Sequence, residues 1–171
     1  MAISIEKAVP SDAALILEYL KQVGGESDNL LHGENEFIVP IEGVKRKLVM
    51  SKESENSIVL IALKNEQIIA RAELEGYYKA RIRHRAKFSI SVKKEYWNQG
   101  IGTRMFRELI RIAEENPNLI QMELEFVEGN SRARALYEKM GFRITGMKPN
   151  AIRLKDGTLL NESTMIREIK R

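Results

Sequence analysis

Apolar and polar residues alternate from residue 3 to residue 8, the period of a strand with one buried face. Pro10-Ser11-Asp12 then opens a helix in which Ala13, Leu17 and Leu20 recur at helical spacing, closing near Gly24-Gly25. Residues 26–40 show neither period and read as a long loop, and residues 41–50 read as a second helix. Residues 57–63 and 67–76, rich in Ile, Val and Leu, predict a hairpin over Lys64-Asn65-Glu66. A fourth strand follows at 86–92. From residue 101 to 115, Ile101, Met105, Leu109, Ile112 and Ala113 share one face of a helix that Pro117 ends. Residues 119–127 read as a fifth strand and 131–140 as a short helix closed by Gly141. Strands at 142–147 and 164–169, joined partly by a turn at Asp156-Gly157, complete the chain. This order predicts a mixed α/β sheet flanked by helices, neither doubly wound nor a barrel.

The length, 171 residues, suits a single domain over residues 1–171, with no repeat or Pro/Gly/Ser-rich linker dividing it. Apolar content of 43% and charged content of 30% belong to an ordinary globular chain. Apolar runs are short, so no membrane span or membrane partner is expected. No basic segment precedes an apolar stretch near the N-terminus, so no secretory signal is expected either. Cysteine is absent, which removes disulfides and a thiol-enzyme intermediate and suits a reducing cytoplasm. Two isolated histidines, His32 and His84, do not suggest a metal site.

The net charge of +4 admits nucleic acid or a polyanionic cofactor as a partner. Its distribution separates them. Glu26, Asp28, Glu34, Glu36 and Glu42 form an acidic zone, whereas Lys79, Arg81, Arg83, Arg85 and Lys87 form a basic one. No aromatic residue interleaves that basic run, so no nucleic acid is expected. The acidic zone suits a cationic acceptor.

Two segments carry the chemistry. Ile90-Ser91-Val92 leads through Trp97-Asn98-Gln99-Gly100-Ile101-Gly102-Thr103 into a helix. Such a strand–loop–helix presents N–H groups to a phosphate, unless the glycines only tighten the turn. A P-loop is excluded because Thr103-Arg104 replaces Lys-Ser/Thr after the second glycine, and a dinucleotide fingerprint because Met105 replaces its third glycine. The second segment, Asn130 to Phe142, is a short helix with an asparagine at its start and Tyr137 two turns on.

The first segment resembles the acetyl-CoA loop of the GNAT superfamily of N-acetyltransferases, matching at Val92, Gly100 and Gly102. Trp97 stands where that pattern has Gln or Arg, so no side-chain phosphate contact is implied from this position. The second resembles the family's other signature at Asn130, Ala133, Leu136, Tyr137, Gly141 and Phe142. The resemblance implies the GNAT fold, a mostly antiparallel mixed sheet whose fourth and fifth strands splay. It implies acetyl transfer from acetyl-CoA, with no metal, to a primary amine: a small amine, a polyamine or a peptide N-terminus. A non-catalytic acyl-CoA binding or sensing domain is the alternative, and a homodimer is common in the family. Ile90, Ser91 and Val92 would then pair with the pantetheine arm. Residues Trp97 to Thr103 would surround the diphosphate. Asn130 would cap its helix and touch the pantetheine, and Tyr137, unless it is simply core, would bind the cofactor and protonate the departing thiolate. Glu125 is the candidate base, with Glu123 on the same face and Glu73, Glu75, Glu128, His84 or a water relay as competitors. Burial is expected to raise its pKa.

Overall fold

The computed structural model, which describes residues 2–33 and 36–169, builds seven strands into one sheet. Strand β1 (Ser4–Lys7) leads through a 3-10 turn at Pro10–Asp12 into α1 (Ala13–Gly24) and then α2 (Ile41–Glu53). Next come β2 (Ile58–Lys64), β3 (Gln67–Gly76) and β4 (Arg85–Val92). Helix α3 (Ile101–Glu115), β5 (Gln121–Val127), α4 (Ser131–Lys139), β6 (Arg143–Arg153) and β7 (Leu159–Glu168) follow. The order across the sheet is β1-β2-β3-β4-β5-β7-β6, antiparallel throughout except between β4 and β5. Asn65 and Glu66, both at positive φ, make the two-residue turn between β2 and β3, whose backbone twist matches that of the strands.

Helices cover both faces, which is why β2 reads as a continuous apolar run. Its Val59 and Ile61 pack under α1 and α2 with Ile16, Tyr19 and Leu48. Its Leu60 and Ala62 join Phe88, Met122, Leu124, Met105, Phe106, Leu109 and Tyr137 on the side of α3 and α4. The α3 stripe is buried much as its spacing predicts, with Phe106 and Ile110 added and Ile112 half-buried.

Four elements differ most from expectation. In α1 the buried residues are Ala13, Ile16, Tyr19, Val23 and Gly24, while Leu17 and Leu20 are half-buried. The Tyr19 ring fills the space beneath the helix and its hydroxyl meets Ser91 Oγ at 3.0 Å. Helix α2 continues three residues past Met50 to Glu53. The last two strands are longer than their apolar segments. Ten of the eleven residues of β6 are exposed, so it has no buried face to mark its length, and Pro149 is tolerated because β6 lies at the sheet edge.

Candidate functional site

The parallel pairing of β4 with β5 runs only through Arg85↔Gln121, Ala86↔Met122 and Lys87↔Glu123. β3 accompanies β4 to its end, with Ala72↔Ile90, Arg71↔Ser91 and Ala70↔Val92 in register. Past Lys87, then, the side of β4 facing β5 has no strand partner among the described residues, although both strands continue. The wedge between them opens into a cavity of about 290 Å³ lined by Ile90, Ser91 and Val92 on one side and Glu125 and Phe126 on the other.

The loop after β4 forms one end of this cavity. Trp97 donates its indole N–H to the Val92 carbonyl (2.7 Å), tying the loop back to the strand. Asn98 (φ 60°) and Gly100 (φ 76°) are left-handed, and Gly100 is the residue on which α3 begins. The first intrahelical bond runs from Arg104 N–H to the Gly100 carbonyl, so the N–H groups of Ile101, Gly102 and Thr103 precede the helical ladder. These orphan donors and the positive end of the helix dipole suit an anion. Trp97, Asn98, Gly100, Ile101, Gly102 and Thr103 line the cavity. Gln99 does not, its side chain being turned back to donate to the Glu95 carbonyl (2.9 Å).

Helix α4 forms the opposite wall. Asn130 Oδ1 accepts from Ala133 N–H at 3.2 Å, the N-cap expected of it, and Asn130 also lines the cavity. Tyr137 belongs to the core and to the cavity wall at once. It packs in an aromatic cluster with Phe88, Phe106, Phe126 and Phe142, and it lines the cavity. Burial pushes its pKa up to about 12.

Glu125 lies between two ammonium groups. Lys87 reaches it from β4 at 2.7 Å, and Lys148 of β6 pairs with it and with Glu162 (3.4 Å). The expected rise in its pKa is therefore reversed. Lys148 first, then Lys87, outweigh partial burial and hold the carboxyl below its ordinary value. The competing bases lie off this cavity. Glu123 takes a forked bond from Arg85 (3.0 and 2.8 Å) and a bond from the Tyr77 hydroxyl. Glu73 is buried between Arg71 (2.7 Å) and Lys47 (2.9 Å). Glu75 lies beside Lys47, Glu128 accepts from Asn161, and His84 precedes the closed end of the wedge. The basic run thus divides: Arg85 and Lys87 pair with β5 carboxylates, while residues 79–83 form an exposed turn.

The loop between α1 and α2 adds Glu26, Ser27, Asn29 and Leu30 to the cavity, residues whose type gave no signal beyond the acidic zone. The carboxylates of that zone are partly engaged. Glu26 accepts from Lys94 N–H (2.6 Å), Glu36 from Gly33 N–H (2.8 Å) and Glu42 from Lys45 (3.1 Å); Glu34 lies outside the described residues. Arg132 and Lys148 escaped the sequence reading. The first sits in the opening turn of α4, and the second reaches Glu125 only through the pairing of β6 with β7 and β7 with β5.

The acetyltransferase (GNAT) family model matches residues 28–142, which hold the loop, the wedge and both signatures. The chain belongs to the GNAT acetyltransferase family. An acetyltransferase of the GNAT family from Streptococcus pneumoniae superimposes on this GNAT chain with a TM-score of 0.95, at 27% identity over 98% of this chain and 100% of that one. A putative acetyltransferase from Salmonella typhimurium, solved with its cofactor acetyl-CoA, has a TM-score of 0.86 and 18% identity, covering 100% and 96%. The L-amino acid N-acetyltransferase AaaT of Escherichia coli is 26% identical over 87 residues, 51% of this chain. The chain spans 54% of that relative's length. Among the described residues, no helix of this GNAT chain is long and apolar enough to cross a membrane.

Proposed function

We propose that the protein transfers the acetyl group of acetyl-CoA to a primary amine of a small molecule or peptide N-terminus, by direct attack and without an acyl-enzyme. The wedge between β4 and β5 carries this reading. It is bounded by the N-terminus of α3 at one end and reaches Tyr137 and Glu125 at the other. The residues present fit the cofactor. A methyl at Gly102 would lie 3.6 Å from Leu136 and 3.8 Å from Val92, so its absence keeps the channel between β4 and α4 open.

Acetyl-CoA, when bound, supplies the activated acetyl thioester. Ile90, Ser91 and Val92 offer backbone groups to an extended amide-bearing arm. The N–H groups from Gly100 to Thr103 hold a diphosphate, with Trp97, Asn98 and Gln99 shaping the loop, and Asn130 faces the arm from α4. Tyr137, kept protonated by burial, gives its hydroxyl proton to the departing thiolate. Glu125, kept ionised but made a weaker base by its two lysines, relays the acceptor's proton, directly or through water.

An acceptor with a carboxylate beside its amine, as in an amino acid, suits the site better than a polycation. Lys87 and Lys148 flank Glu125, and the carboxylates of Glu26 and Glu36 already have donors. The Escherichia coli relative is named for L-amino acids. The test is thiol release from acetyl-CoA across L-amino acids, peptide N-termini, polyamines and aminoglycosides. Amino acids are expected to lead. Polyamines leading instead would overturn the acceptor assignment, and silence with every amine would overturn the transfer.

A further inference from the structure

The cavity that would take a polyanion is short of positive side chains. Glu26 and Glu125 both line it, and among the described residues Arg132 is the one cation in its lining. The helix N-terminus contributes only about half an elementary charge, less than a diphosphate carries. Of the cations near the loop in sequence, Lys94 keeps its ammonium 6.0 Å from the centre of the Trp97 ring and does not line the cavity, and two others are directed elsewhere. Arg104 donates to the Ile3 carbonyl (3.5 Å), and Lys93 is buried away from the cavity.

Arg132 is held in a particular way. Its guanidinium carbon lies 3.5 Å from the centre of the Trp97 ring, and Trp97 is itself fixed by its bond to Val92. Stacking occupies the face of the guanidinium and leaves its N–H donors at the edge, in the plane that suits phosphate oxygens. No carboxylate among the described residues forms an ion pair with Arg132, whereas Arg134, one position beyond Ala133 on α4, is paired with Glu138 at 2.9 Å. A cation parked on an aromatic platform without a counter-ion is pre-organised for an anion that arrives from outside.

We propose that Arg132, positioned by stacking on Trp97, binds the diphosphate of coenzyme A. This assignment rests on the reading of the wedge as the cofactor site. It makes α4 contribute to both ends of the ligand, phosphate through Arg132 and sulfur through Tyr137.

Calorimetric titration of the full chain with coenzyme A, 3′-dephospho-coenzyme A and pantetheine tests it, comparing wild type with Arg132→Gln and Arg132→Lys. Arg132→Gln is expected to weaken both diphosphate ligands about tenfold, as loss of a charge-assisted contact does, and to leave pantetheine unchanged. Arg132→Lys is expected to restore only part of the loss, because an ammonium lacks the planar fork. Trp97 is the only tryptophan, so its emission reports the stack directly, and Arg132→Gln is expected to shift it before ligand is added. Unchanged affinity, a loss confined to ligands bearing the 3′-phosphate, an equal loss for pantetheine, or unchanged emission would each overturn the proposal. Failure of the wild-type chain to bind coenzyme A would instead remove the reading beneath it.

Discussion

In the proposed mechanism, Tyr137 serves packing and chemistry together. Its ring is part of the aromatic cluster, so Tyr137→Phe preserves the core and removes only the hydroxyl of this cavity-lining residue. Turnover is expected to fall roughly a hundredfold with little change in acetyl-CoA affinity, as steady-state kinetics beside calorimetry will show. At Glu125 the electrostatics run against its use as a strong base, and the responsible groups can be removed singly. Lys148→Met is expected to raise the Glu125 pKa toward the ordinary carboxylate value, because Lys148 is the largest cause of the depression. The acid limb of the kcat/KM profile then moves to higher pH, whereas an unmoved limb would separate Glu125 from proton transfer. Such pairings were beyond the reach of the sequence. Asn130, Tyr137, Gly100 and Gly102 stand at fixed local spacings and could be read. The partnership of Glu125 with Lys148 depends on the register of β5 on β7 and of β7 on β6, which no local pattern encodes.

At the level of elements, legibility followed burial. Helix α3 and the β2–β3 hairpin are plain in the sequence because each presents a buried apolar face, whereas β6 extends beyond its apolar segment because only Ile152 of its residues is not exposed. The junction of loop and α3 yields a paired prediction. Gly100 has open space around an added methyl, so Gly100→Ala costs only its left-handed backbone, about 1 kcal/mol by denaturant unfolding. Gly102 has ordinary helical φ, and there alanine will leave stability equal or slightly higher while weakening coenzyme A binding. Loss of stability at Gly102 with binding intact would contradict the role given to the channel.

Across the whole molecule, buried ionisable groups limit stability at both ends of the pH scale. The pKa of Tyr137 is raised from 10.0 to about 12 by burial, and that of Tyr77 to about 12 by desolvation and then Glu123; Tyr19 is raised by burial as well. Their contribution is complete below pH 10 and is lost as pH climbs toward 12, since the unfolded chain gives up these protons first. Glu73 behaves in the opposite sense. Burial would raise it, but Arg71 and Lys47 together hold it below 4.5, so its contribution is present above that pH and disappears on acidification. Denaturant midpoints measured across pH are expected to be level between these limits and to fall on both sides.

The short parallel seam has a dynamic corollary. The strands β1 to β4 and the strands β5 to β7 are two antiparallel blocks that touch through one brief run of backbone at Arg85–Lys87. Amide protons on the open margin of β4 should therefore exchange with deuterium readily when the wedge is empty and slow down once coenzyme A fills it. Those of the β2–β3 ladder, already paired along their length, should keep one rate in both states.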